Sequence, residues 1–386
     1  MPLRILIRDG TVICPASGLR GRFDVAIVGE RIDAVGESLP AEAGDQVVDA
    51  KGLIVTPGLI DLHVHVFDGQ DLGVPAATVG LVHGVTTLVD AGSAGAHLYP
   101  AFRDGCMRKA RERVVAFLNI SSIGLTSTLL AGEFETLSYA SVEECLRCVD
   151  SNRDSIVGIK VRVAAETVGS NGIRPLELAV EAADAAGLPL MVHIASAPPP
   201  LESILTALRP GDIVTHCFTG LGNRLNDPDG RVRDDVRAAR EGGIIFDLGH
   251  GGGSFDVETA RVLIGEGFLP DVISSDAHAY SIDLVESLPA VMSRFLALGV
   301  PLDAVVERAT TAAANILGRA KLGRLVPGAV ADIAAFELRE QPVKFHDVNG
   351  REFEGSQLLV PRWTIKDGQL VEAGERGPFG RVWSAT

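Results

Sequence analysis

The chain has 386 residues, 46% hydrophobic, 22% charged and only 5% aromatic, which excludes a disordered or fibrous polypeptide and predicts an aliphatic core. Its 35 basic and 50 acidic residues leave a formal charge of −15 with no basic run, arguing against nucleic acid or an anionic membrane and for a small-molecule partner. Five scattered cysteines, the short apolar start Met1-Pro2-Leu3-Arg4-Ile5 and the lack of any stretch of about 18 apolar residues predict a reducing, cytoplasmic location without a membrane span.

The length suits an α/β barrel of roughly 250 residues plus a satellite domain. Residues 5–7 and 11–13 around Asp9-Gly10, then 25–28 and 32–35 around Gly29-Glu30, alternate short β-like runs with turn signals. Residues 333–336, 358–360 and 363–365, before Lys366-Asp367-Gly368, have the same character. The two β-rich ends predict one small discontinuous β-sandwich domain, 1–55 with 323–386, around a barrel over 56–322.

Between the two β-rich ends a short apolar strand, a polar loop and a helix-like segment recur eight times, with strands at 54–66, 86–90, 114–120, 156–163, 188–194, 212–218, 243–248 and 271–275. Strands alternating with amphipathic segments predict parallel βαβ units, and eight of them a closed (β/α)8 barrel. Leu176, Val180 and Ala183, stopped by Ala186-Gly187, mark one helical stripe, and 284–298 and 302–317 read as covering helices.

In such a barrel the C-terminal strand edges build the site. The first strand ends Asp61-Leu62-His63-Val64-His65-Val66; positions i and i+2 share a face, so both imidazoles point inward as half a metal site. The fourth holds Lys160 among β-branched residues, where an ammonium must be paired or altered; a neutral amine takes up CO2 to form a carbamate able to bridge two cations. The fifth and sixth supply His193 and His216, and the eighth ends Ser274-Ser275-Asp276-Ala277-His278. A lone strand-end histidine is usually a hydrogen-bonded core residue, but this joint order at one edge needs an anionic or metallic organiser.

Arg162 shares the parity of Lys160, and either grips a substrate carboxylate or forms a salt bridge to a nearby acid such as Asp61. His250, in Gly249-His250-Gly251-Gly252-Gly253, is read as a substrate contact or a plain loop turn, and His278 as orienting Asp276 or exposed. Cys145 and Cys148 fall in a helix starting at Ser141 without a second pair. His83, His97 and His346 lack converging companions.

With these motifs the chain resembles the amidohydrolase superfamily of metal-dependent hydrolases over almost its whole length. The opening Thr56-Pro57-Gly58-Leu59-Ile60-Asp61-Leu62-His63-Val64-His65 and the return Leu322-Gly323-Arg324-Leu325-Val326-Pro327-Gly328-Ala329 carry the likeness. Residues 158–163, 188–200, 212–220 and 245–251 are similar to its deacetylase branch, whose members are often labelled dihydroorotases. The resemblance implies two divalent cations, one on His63, His65 and Asp276 and one on His193 and His216, bridged by carboxylated Lys160 and a hydroxide. Asp276 would accept the proton as hydroxide attacks an acyl carbon and return it to the leaving group. Zinc is the default, with manganese or iron able to occupy the same set.

The preferred reading is therefore a deacetylase-type hydrolase of an acyl ester or amide, such as an O-acyl α-hydroxy acid or N-acyl amino acid. A cyclic amidohydrolase of dihydroorotase or hydantoinase type is the alternative, weakened because Phe67 stands where dihydroorotases carry a carboxylate-binding arginine. A catalytically silent scaffold is the third reading, opposed by the complete ligand set. Assembly into a homo-oligomer is compatible with the sequence.

Overall fold

A computed structural model describes residues 4–127 and 133–373. Its strands are β1 (Arg4–Cys14), β2 (Leu19–Val28), β3 (Arg31–Gly36), β4 (Gln46–Asp49), β5 (Ile54–Pro57), β6 (Leu59–Val64), β7 (Val85–Gly95), β8 (Arg113–Asn119), β9 (Ile156–Val163), β10 (Leu190–Ile194), β11 (Ile213–Thr215), β12 (Ile245–Asp247), β13 (Ile333–His346), β14 (Glu352–Lys366) and β15 (Gln369–Glu372).

Strands from both chain ends form one eight-stranded sheet, ordered β15-β14-β13-β5-β1-β2-β3, with β4 beside β1. Inward positions alternate along β1 and β2, giving a core of Ile5, Ile7, Val12, Val25, Ile27, Ile333 and Ile365. The Asp9-Gly10 signal is not a hairpin turn. β1 runs through it with a register shift between Ile7 and Gly10 and Asp9 at φ 63°, the geometry of a bulge.

The second sheet is parallel, ordered β12-β11-β10-β9-β8-β7-β6. Segment 272–277 touches both of its edges through the parallel bridges Asp247↔Val272 and Val64↔Ala277. The stretch 54–66 is two strands, not one. β5 pairs with β1 and β13, whereas β6 pairs with β7. The chain changes sheet at Gly58, where a Cβ would lie 2.4 Å from Thr86 Oγ1, so only glycine fits the crossing. The terminal sheet thus reaches Pro57; residues 374–386 of the expected second segment lie outside the described residues.

Helices cover this sheet as their sequences direct. Arg174–Ala186 starts with Pro175 in its first turn, buries Leu176, Ala179, Ala183 and Ala186 on one face, and stops at Gly187 in the left-handed conformation. Ser141 caps Val142–Ser151 by accepting from Glu144 N–H. The two long helices expected over 284–298 and 302–317 are each broken, into Ile282–Val285 and Leu288–Ala297, and Leu302–Arg308 and Thr311–Ile316. The first break follows from Glu286 at φ 66° and a new cap at Ser287. Among the described residues no helix is long and apolar enough to cross a membrane.

Candidate metal centre

The C-terminal ends of the parallel strands enclose a cavity of ≈ 310 Å³ lined by His63, His65, Lys160, Arg162, His193, His216, Asp276 and His278, together with Leu72, Leu125 and Tyr280. His63 lies near the end of β6 and His65 just past it. Register shifts between Asp61 and Val64, so strict alternation is interrupted there, yet the two rings stand 5.6 Å apart and both face Asp276. Lys160 projects from β9 over Gly92, whose φ of 88° and missing Cβ leave room for it; a Cβ would lie 2.6 Å from Lys160 Cγ.

His216, just after β11, and Asp276, in segment 272–277, have φ of 69° and 48°. Left-handed backbone at non-glycine residues is strained, and here it turns both side chains toward one point. His193 and His216 rings are 4.2 Å apart. His63 Nε2 and His65 Nε2 each lie 3.4 Å from Asp276 Oδ1, and Lys160 Nζ lies 3.5 Å from His63 Nε2. Ligand atoms of His63, His216 and Asp276 fall within 4.8 Å of one another, an arrangement able to hold a metal ion.

Proton counting assigns three of the imidazoles. The Thr215 hydroxyl donates its one proton to Asp247 (2.7 Å), so at 2.9 Å from His63 Nδ1 it can only accept. The Ser93 hydroxyl donates to Asp90 (2.8 Å) and likewise accepts from His65 Nδ1 at 2.8 Å. His216 Nδ1 donates to the Gly249 carbonyl at 2.8 Å. In its neutral form each keeps its Nε2 lone pair for the cavity, and His216 Nε2 is buried without a partner. An orphaned imidazole nitrogen on His216, among further imidazoles and a carboxylate and with no thiolate, suits a divalent cation of the zinc, manganese or iron type.

Burial, reinforced by Lys160, holds His63 well below the usual histidine value; burial and neighbouring His216 do the same to His193. Burial lowers His216 to about 4, so these rings are neutral at pH 7, as ligation requires. Burial lowers Lys160 to about 8 against the pull of Asp276 and Asp247, making its amine available in neutral form near physiological pH.

Residues 46–114 match the amidohydrolase family. A deacetylase of Agrobacterium fabrum is 36% identical over 362 residues, spanning 93% of this chain and 89% of that protein. The chain belongs to the amidohydrolase family. Solved structures described as a dihydroorotase (34% identical, TM-score 0.88, covering 96% of this chain and 99% of that one) and an adenine deaminase (30%, 0.90, 96% and 100%) share its fold. This amidohydrolase is accordingly a hydrolase, of a family that generally uses divalent metals.

The remaining expectations divide. Arg162 lines the cavity and also makes the expected salt bridge to an acid, which is Glu133 at 2.9 Å rather than Asp61. Asp61 is taken up by backbone amides of His63 and Ser275. His278 lines the cavity with its ring 6.1 Å from that of His65, and its Nδ1 accepts from Tyr280 N–H at 3.2 Å. His250 is fully buried behind the rim, stacked on Phe255 at 4.6 Å with Nδ1 donating to Gly251 carbonyl. Burial lowers it to about 3.

Phe67 packs on Phe102 at 4.9 Å within the apolar core. Cys145 and Cys148 are free, in the expected helix. Sequence reasoning passed over Asp90, Ser93, Thr215, Asp247 and Ser274, all buried to 1% exposure or less. Asp90 and Asp247 carry the same signal as Asp276, an acid closing an apolar strand, and were legible on that ground. Gly249 and Gly251 serve as seats: a Cβ would meet Thr215 Oγ1 at 2.4 Å and Asp276 Oδ2 at 2.3 Å.

Proposed function

We propose that this amidohydrolase removes an acyl group from a small, carboxylate-bearing ester or amide, a deacetylase reaction run by two divalent cations, with zinc the default. His63, His65 and Asp276 would hold one ion, His193 and His216 the other, and Lys160, carboxylated by CO2 with loss of one proton, both. The observation that carries the reading is the buried convergence of four imidazoles, an amine and a carboxylate on one cavity, with Nε2 of His216 unpartnered there. Bound divalent cations supply an acidified water and a polarised scissile carbonyl. Asp276 accepts the proton of the attacking water and delivers it to the leaving alcohol or amine. Arg162 orients the substrate carboxylate with its planar fork, held in place by Glu133.

The scaffold of this reading is a closed (β/α)8 barrel, completed by segment 271–277, with the terminal strands forming a sandwich beside it. Five unpaired cysteines support a reducing, cytoplasmic setting. A cyclic amide substrate is favoured by the structural likeness to a dihydroorotase, but Phe67 occupies the core instead of offering a guanidinium. The test is metal content by mass spectrometry together with a panel of acylated hydroxy acids, N-acyl amino acids and cyclic amides. Near two ions per chain and turnover of an acyclic acyl acid are expected, with Arg162→Gln raising KM far more than it lowers kcat. Fewer than one ion with no hydrolysis across the panel would end the proposal.

A further inference from the structure

The two histidines of the first parallel strand are braced differently from the other two. His63 Nδ1 faces Thr215 Oγ1 at 2.9 Å and Asp247 Oδ2 at 3.3 Å. Both oxygens of Asp247 are engaged, one by the Thr215 hydroxyl at 2.7 Å and the other by the Ser274 hydroxyl at 2.6 Å. The carboxylate cannot swing away from the imidazole. His65 Nδ1 meets Ser93 Oγ at 2.8 Å, and that hydroxyl passes its proton to Asp90, whose oxygens also take the Val66 and Ser93 amides. Each ring is thus tied to a fully buried carboxylate, directly or through one hydroxyl. By contrast, His216 leans on a neutral carbonyl, and among the described residues the His193 ring has no hydrogen bond.

We propose that Asp247, with Thr215 and Ser274, and Asp90, through Ser93, are positioning residues that lock His63 and His65 as Nδ1-protonated tautomers and make the ion on that pair the tighter of two. An anionic acceptor behind Nδ1–H fixes the ring and increases electron donation from Nε2, whereas a carbonyl or open solvent does so less. The inference rests on the two-ion reading above and adds an order to it: the His193 and His216 ion leaves first.

The test titrates the zinc-loaded full-length protein with a graded chelator and counts ions retained per chain. In the wild type one ion is lost well before the other. In Ser93→Ala and Asp247→Asn, retention of the second ion falls by about 10- to 100-fold while that of the first is unmoved, and Ser93→Thr, which keeps the hydroxyl, restores it. If Asp247→Asn does not fold, Ser93→Ala with its Ser93→Thr rescue decides alone. A second readout needs no metal: ring nitrogen-15 spectra of the stripped protein show Nδ1–H at both histidines, and Ser93→Ala releases His65 into a mixture.

Variants that shift neither ion, or both equally, overturn the proposal, as does an unchanged His65 tautomer in Ser93→Ala. A wild type that takes up no zinc would remove the metal reading as well. Two ions with unshifted variants would remove only the positioning roles.

Discussion

The sheet built from the chain ends and the rim of the parallel sheet treat burial in opposite ways. In the first, Ile5, Ile7, Val25, Ile27, Ile333 and Ile365 form an aliphatic core, and a buried charge such as Asp332 is met by cations, Arg113 and Lys366. At the rim, Asp61, Asp90, Asp247, Asp276, His63, His216 and Lys160 are all 7% exposed or less. Burying such groups costs free energy that hydrogen-bonded relays offset, as would the cations of the proposed reading. The terminal sheet therefore carries conventional stability, while the rim holds strain and desolvated charge that serve chemistry.

Four substitutions or conditions probe this division. Asp276→Asn is expected to lower kcat by about 1000-fold, with metal affinity falling less than turnover and the urea midpoint retained; an equal loss of stability would contradict the contrast. Ile333→Ala, in the core of the terminal sheet, should destabilise by about 3 kcal/mol in urea unfolding and leave turnover per folded molecule unchanged. Gly251→Ala drives a methyl against Asp276 Oδ2 from a residue at φ 56°. Its effect should be a roughly 100-fold fall in kcat/KM through misplacement, larger than its loss of stability.

The smallest expected effect concerns His83, which lies under the terminal sheet beside Leu81, whose carbonyl accepts from Thr364. Burial lowers His83 to about 4, and its Nε2 has no partner. With a folded value depressed below the ordinary 6.5, the unfolded chain binds the proton first, so stability is complete above pH 6.5 and falls as pH drops toward 4. Between pH 7 and pH 5 this group alone should cost about 2 kcal/mol. His83→Gln should make that portion of the urea-midpoint profile shallower by this one share, since buried His63, His193, His216 and His250 are lowered too; an unchanged slope would mean that His83 does not contribute.

Much of the site was legible because strand-end chemistry leaves a local trace. His63, Lys160, His193, His216 and Asp276 each close or occupy an apolar run, and the structure brings all five side chains to one cavity with His65. Asp247 and Asp90 left the same trace but were passed over, since an acid closing a strand says nothing about which histidine it will face. Glu133 left none: it reaches Arg162 from a loop 29 residues away. His250 was misleading for a related reason, because a glycine-rich loop marks close backbone approach without saying whether the imidazole turns toward the cavity or, as here, onto Phe255.

Alternation of apolar runs and turn residues determined, from the sequence by itself, the parallel strands, the pairing of the two chain ends and the order of ligand-type residues, because these depend on periodicities of two and 3.6 along the chain. Tertiary structure alone decided where β5 hands over to β6, which carboxylate stands behind which imidazole, and that Arg162 meets Glu133. Those outcomes depend on contacts between distant segments and on space too tight for a Cβ at Gly58, Gly92 and Gly251, and neither is encoded in any local pattern.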